Sequence, residues 1–317
     1  MYQFLKKSWF FVGIAIVIVL ALSFPNLGLF VREYKILNIG IFLMFLITGL
    51  SLDTRTVLEQ IKNVRVLIAS LLSALLLTPV ITAILAGWIF QGNQDFVVGS
   101  ILIAVAPVTI AAGTVMTALA LGNVPLSLFI CVLCNFASLL SIPLMLKLLL
   151  GAEQGIELPL GQIIRSLSLT VLTPILAGQI LRPWIKEAIA PYQKIFPVFS
   201  QCIILLIIFN GISSSAGVIG NVGKGLVGLF AFMIFLHSLF LAMNFGISKL
   251  IRLDRPSTSA FTIHTSQKTM VITFIVWAGF FAQAFPMAML PGITYHLTQM
   301  FMGTLVASTF RKRAQQK

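Results

Sequence analysis

The residue of this chain most in need of a reason is a lysine in the middle of an apolar run. Lys268 lies in the stretch Thr262, His264, Thr265, Ser266, Gln267, Lys268 and Thr269, the most polar segment of any hydrophobic run. His264 and Lys268 are four apart, so on a helix they share one face. A lysine at mid-membrane costs roughly 3 kcal/mol on insertion scales and marks a functional site by default. A second run carries Ala106-Pro107-Val108-Thr109-Ile110-Ala111-Ala112-Gly113-Thr114. Pro107 has no N–H and clashes with the preceding turn, so it frees carbonyls that some other group must satisfy. Ser127, Asn135 and Ser138 stand at helical spacing in the next run, and His296 and Gln299 share a face in the last one. These five serve a binding site or interhelical packing equally well. His237 stands alone and reads as a packed, hydrogen-bonded histidine.

The chemistry that is missing is as informative. All eight acidic residues (Glu33, Asp53, Glu59, Asp95, Glu153, Glu157, Glu187, Asp254) fall in loops or at the ends of apolar runs. Paired carboxylates for acid–base or two-metal work are absent from the runs, as is a carboxylate proton relay. Neither H-E-x-x-H nor G-x-S-x-G occurs, so the reading is not an enzyme. Cys131, Cys134 and Cys202 lie in apolar runs and behave as small hydrophobes. The C-x-x-C pair has no second pair or histidine nearby in sequence, so neither zinc nor redox chemistry is expected and no cofactor is implied.

The elements that must position these residues follow from composition. Of 317 residues, 59% are hydrophobic and 9% charged, with a mean hydropathy of +1.05. That departs from a soluble domain and points to lipid as solvent. Apolar runs predict ten spans, at about 9–25, 36–52, 66–90, 96–119, 124–146, 163–181, 195–215, 226–250, 258–282 and 287–308. The net charge of +13 does not indicate nucleic acid, because the cations sit at span ends. With the N-terminus inside, fifteen of the 21 lysines and arginines face the cytoplasm, from Lys6 and Lys7 to Lys317, and Lys268 lies in span nine. The five on the outside are Arg32, Lys35, Lys147, Arg165 and Lys224. Both termini are therefore predicted to be cytoplasmic, and with no small-residue cleavage site after the first run it reads as a retained span.

An odd number of spans in each half, 1–150 and 151–317, requires the halves to be inverted if they are homologous. Gly49 in FLITGLSLD and Gly211 in IIFNGISSS align under that pairing, as do the polar stretches Val108–Met116 and Phe261–Met270. The phrases LLTPVITAILAG and VLTPILAG also match, but they fall in spans three and six, which are not repeat partners.

Three phrases carry a family resemblance: Trp9-Phe10-Phe11-Val12-Gly13-Ile14, Ser266-Gln267-Lys268-Thr269, and Pro291-Gly292-Ile293-Thr294-Tyr295-His296-Leu297-Thr298-Gln299. With the ten spans and the polar spans four and nine, the chain resembles the bile acid:sodium symporter superfamily, and within it the SBF-like branch that includes the vertebrate solute-carrier-ten member seven. The resemblance implies an all-α polytopic membrane protein built as two inverted five-helix repeats. Spans 3–5 and 8–10 would form a core and spans 1, 2, 6 and 7 a panel. Spans four and nine would be broken helices crossing near the midplane, with the N-terminal dipole ends suited to an anion. It further implies alternating-access transport of a small organic anion across a cell (inner) membrane. A non-transporting regulator of ion (calcium) handling is the alternative, which a crevice filled by large apolar side chains would favour. An ion channel lacks the repeated filter residues it would need.

The same resemblance places Thr109, Gly113, Thr114, Ser127, Asn135, His264, Ser266, Gln267, Lys268, Thr269, His296 and Gln299 at the substrate or ion site. Sodium ligands would be Thr114, Ser127 and Gln267. This chain departs from the bile acid branch at Gly113-Thr114, at Cys131, at Ile263 in place of an acid, and at Lys268 beside Gln267. Sodium, like other hard cations, prefers oxygen ligands, and an ammonium repels it. The expectation is that Lys268 supplies fixed charge, either to the anionic substrate or where a sodium ion would stand, the second giving a sodium-independent or proton-linked carrier. His264 would relay a proton or cap a broken-helix carbonyl.

Overall fold

The computed structural model describes residues 2–33, 35–52, 59–109, 111–151, 158–193, 195–219 and 223–316. Asp53 and Arg55 of the loop after span two, Glu153 and Glu157 of the joining segment, Ile110 and Lys194 lie outside the described residues. Every regular element among the described residues is helical. In chain order they are α1 (Tyr2–Ser23), α2 (Pro25–Glu33), α3 (Ile36–Ser51), α4 (Val64–Ile89), α5 (Gln94–Val105), α6 (Ala111–Leu119) and α7 (Val124–Leu146). The second half has α8 (Leu160–Tyr192), α9 (Phe196–Ile219), α10 (Lys224–Leu250), α11 (Arg255–Thr265), α12 (Met270–Val276) and α13 (Met289–Gln315). Five of the helices are long and apolar enough to cross a membrane: α4, α8, α10, α9 as far as Gly217, and α7 continued to Gly151. The chain is thus a polytopic membrane protein.

Local sequence explains where the helices begin. α5, α7 and α11 each start behind an Asn or Asp whose side chain accepts an N–H of the first turn: Asn93 from Phe96 (3.2 Å), Asn123 from Leu126 (3.0 Å) and Asp254 from Ser257 (3.1 Å). Such caps satisfy donors that the helix itself leaves free. Pro125 and Pro256 occupy early positions where a missing N–H does no harm.

Two expected boundaries moved. The sixth run continues as helix to Tyr192, well past 181, because its end is an amphipathic surface segment: Trp184 is 74% exposed. A length criterion for apolar runs does not see a polar extension. The first run ends at Ser23 and is followed by the separate helix α2, opened by Pro25.

The two TP phrases share a local structure. In Ser73–Leu77 and again in Ser168–Leu172, just ahead of Thr78-Pro79 and Thr173-Pro174, the helix widens to a π turn. Each Thr N–H reaches back five residues, to the Ser73 and Ser168 carbonyls, and each Thr hydroxyl bonds the same oxygen. A proline within a helix lacks its N–H and crowds the carbonyl four residues earlier, and the wider turn relieves both. The repeated phrase encodes this device.

Packing runs across the two halves of the sequence. α3 lies on α8 at a crossing of small residues, where a Cβ on Gly49 would strike the Ile175 carbonyl and one on Gly178 the Leu46 carbonyl. α1, α2 and α3 also contact α9, whereas α10, α11 and α13 gather with α5 and α6. Buried aliphatic and aromatic residues fill the space between, including Phe45, Ile101, Phe240 and Trp277.

Candidate functional site

The site begins with carbonyls that have lost their donors. In the π turn of α4 the Thr78 N–H is taken by Ser73, and the next position along is Pro79, which has no N–H. The Ala74 carbonyl is left over. A second set arises where α5 ends at Val105: Ala106 is extended (φ −63°, ψ 146°) and Pro107 follows, so no further turn supplies donors to Ala104 and Ala106. A buried carbonyl without a partner costs about 1–3 kcal/mol.

Lys268 answers all three. It occupies the break between α11 and α12, is fully buried, and its Nζ donates to the carbonyls of Ala74, Ala104 (2.6 Å) and Ala106 (3.1 Å). An ammonium has three donors, so its capacity matches the orphaned oxygens. Carbonyls at a helix C-terminus also carry the negative end of the dipole, which favours a cation there.

The backbone around Lys268 is held as tightly. The Gln299 amide acts as a substitute strand: Oε1 accepts the Lys268 N–H at 2.8 Å and Nε2 donates to the Lys268 carbonyl at 2.8 Å. Its second amide hydrogen goes to His296 Nδ1 at 3.1 Å. Across the crossing the Thr269 N–H donates to the Pro107 carbonyl (2.9 Å), and Asn135 Nδ2 donates to Val108 (3.0 Å) and Cys131 (2.9 Å). The two breaks, 106–109 and 266–269, therefore touch directly. Thr109 lies within the first, 9% exposed. On the far side the Ser266 hydroxyl accepts from Asn244 Nδ2 at 2.9 Å, and its carbonyl accepts from the Tyr295 hydroxyl at 2.8 Å. Asn244 in turn accepts from Ser73, which ties the α4 π turn to the α11 break.

A second group stands beside the first. The Ser127 hydroxyl pairs with His264 Nδ1 and with the Thr117 hydroxyl (3.1 Å). Gly113 faces that imidazole, and a Cβ there would come within 2.8 Å of its Cε1. Gln267 turns its Nε2 to Met116 Sδ at 2.8 Å. Thr114 lines a cavity of about 290 Å³ between α3, α9, α6 and α7, together with Thr48, Ser51, Gln193 and Ser200.

The structure thus brings Asn135, Ser266, Lys268, Thr269, His296 and Gln299 into one network, and Gly113, Ser127 and His264 into another, with Thr109 in the first break. Ser127 and Gln267 have different partners, and Thr114 faces the cavity. Among the described residues no three His, Cys, Asp or Glu side chains come together as a metal site. Sequence reading missed Asn244 and Tyr295. Asn244 is fully buried in α10, and an amide inside an apolar run is the signal that would have found it. Tyr295 gives its proton to Ser266 and accepts from His237 Nδ1 (3.1 Å), so His237 positions the tyrosine from behind.

A broken-helix crossing beside a cavity that mixes apolar and hydroxyl-bearing side chains is an arrangement found in secondary transporters. The family model described as the SBF-like CPA transporter family matches residues 8–312. The chain belongs to that family. Among SBF-like relatives, the probable sodium/metabolite cotransporter BASS4, chloroplastic, of Oryza sativa subsp. japonica is 27% identical, over 94% of this chain and 74% of its own length. The Arabidopsis thaliana protein of the same description is 26% identical, over 96% of this chain and 73% of its own. Sodium/bile acid cotransporter 7-B of Xenopus laevis is 26% identical, over 97% of this chain and 92% of its own. SBF-like membership and the long apolar helices make this an integral membrane protein of a transporter family.

Proposed function

We propose that this chain is a secondary transporter that moves a small organic anion by alternating access, with Lys268 in place of a coupling sodium ion. The observation that carries the reading is the Lys268 ammonium, buried on three carbonyls where the two helix breaks meet. A site already filled by a tethered cation has no need of a mobile one. Of the oxygens expected to hold sodium, the Ser127 hydroxyl is already engaged with His264 and Thr117.

The breaks fall in spans four and nine, the partners expected under an inverted ten-span repeat, and this supports that architecture. The cavity at Thr114 lies between helices expected in the panel (α3, α9) and in the core (α6, α7), which suits a substrate crevice. The cavity is open rather than filled by its apolar lining, and with the hydroxyls of Thr48, Ser51 and Ser200 in its wall this supports transport over the regulatory alternative. The N-terminus of α6, one residue turn away, adds dipole attraction for an anion. Clustered cations at the ends of α10 and α13 support cytoplasmic termini.

The test is uptake into proteoliposomes of a panel of small carboxylates and organic sulfates, with sodium or choline outside at equal ionic strength. Saturable uptake of at least one anion, equal in the two salts, is expected. Uptake that requires sodium would overturn the coupling assignment, and no uptake of any member would overturn the transport reading.

A further inference from the structure

A second and larger cavity, of about 610 Å³, shares none of its lining residues with the Thr114 crevice. It opens between the end of α10, the start of α11 and the end of α13. Three cations reach into it, Lys249, Arg255 and Arg313, with Thr258 and Ser259 contributing hydroxyl-bearing side chains. None of the described residues lining it is acidic. Asp254, the nearest carboxylate in sequence, is turned onto its own helix, where it accepts the Ser257 N–H at 3.1 Å.

The walls are apolar. Phe245 and Phe310 stand with ring centroids 6.3 Å apart, and the Lys249 ammonium lies 5.3 Å from the Phe245 ring centre. Leu250, next along α10, is 81% exposed, as befits a side chain facing lipid. The cavity therefore combines like charges, hydroxyls and an aromatic wall at the edge of the apolar belt.

We propose that this cavity binds a phosphate-class anion, and that the anionic headgroup of a phospholipid is the form that fits it. Three cations around a cavity with no acidic residue among its described lining gather positive potential there, which an anion relieves. A phosphodiester accepts hydrogen bonds from guanidinium groups in the forked geometry they favour. Basic pockets between membrane helices at the cytoplasmic face bind such headgroups, and the aromatic wall offers a surface for the glycerol and upper acyl chain. Because Ala120 and Leu121 at the end of α6 and Arg255 at the start of α11 both line it, an occupant bridges the two half-helices that meet at Lys268. The site stands independently of what the Thr114 crevice carries.

The experiment measures melting temperature of the purified full-length chain in neutral detergent, titrated with phosphatidylglycerol, with phosphatidylcholine, or with inorganic phosphate. The variants are Arg255→Gln/Arg313→Gln and, as a charge-matched control, the exposed pair Lys62→Gln/Lys186→Gln. Phosphatidylglycerol is expected to raise the melting temperature of the wild type and of the control pair, while phosphatidylcholine does not. Removing two cations near the surface is expected to weaken the apparent affinity roughly thirtyfold. A response to the lipid without one to inorganic phosphate identifies the headgroup, and a response to both identifies the free anion as sufficient. No response to either, or an equal loss in the control pair, overturns the site.

Discussion

Replacing Lys268 by methionine keeps the length and bulk of the stem and removes the ammonium. Three carbonyls, Ala74, Ala104 and Ala106, then lose their donor in a place where Lys268 itself is fully buried. At about 1–3 kcal/mol for each unpaired acceptor the gross loss is roughly 3–9 kcal/mol. Against it stands the burial penalty of the ammonium, several kcal/mol, which the variant no longer bears. The difference leaves a net destabilisation of about 3 kcal/mol. For a chain of this length the unfolding entropy scales to roughly 0.7 kcal/mol/K, so the melting temperature falls by about 4 °C. The assay is thermal unfolding of the purified protein followed by intrinsic tryptophan fluorescence. A methionine variant that melts at or above the wild type would show that the carbonyls need no cation, and the reasoning from proline to orphaned carbonyl to lysine would fail.

Gln299→Leu removes both bonds that hold the Lys268 peptide and is expected to destabilise by about 2–3 kcal/mol, read by the same unfolding assay, with Gln299→Glu recovering only the acceptor half. Gly113→Ala sets a Cβ within 2.8 Å of the His264 ring; uptake is expected to fall at least tenfold and stability by about 1–3 kcal/mol, whereas wild-type behaviour would show that His264 is free to move. Val115→Trp places a large ring in the Thr114 cavity from a side chain that is 51% exposed; transport is expected to be blocked while the melting temperature stays within about 1 °C. Asn244→Leu cuts the link from Ser73 to Ser266 and is expected to cost about 1–3 kcal/mol, measured by unfolding.

The polar centre was legible in the sequence because lipid makes polarity conspicuous. Lys268, Gln299 and Asn135 stand out in apolar runs, and Pro107 announces freed carbonyls. Which carbonyls Lys268 reaches was not legible. Ala74 and Ala104 are alanines, and what they contribute is backbone oxygen, which no residue type reveals. The same holds for the π turns: SALLLTP and SLTVLTP share a phrase whose meaning is a hydrogen-bond register, which residue types alone do not reveal. Boundaries failed where the signal was amphipathic rather than apolar, as at the end of α8. The basic cavity escaped for a different reason. Lys249, Arg255 and Arg313 come from separate segments, and their positions fitted the orientation rule without any need to meet.

The central claim is that Lys268 stands where a sodium ion would otherwise be needed. Melting temperature in sodium chloride against choline chloride at equal ionic strength, for the wild type and for Lys268→Ala, tests it most directly, because a ligand that binds only the folded state stabilises it by mass action. No difference between the salts is expected for the wild type. In Lys268→Ala, where the three carbonyls are exposed to a vacated space, a sodium-specific rise is expected. A sodium-specific rise in the wild type would contradict the account.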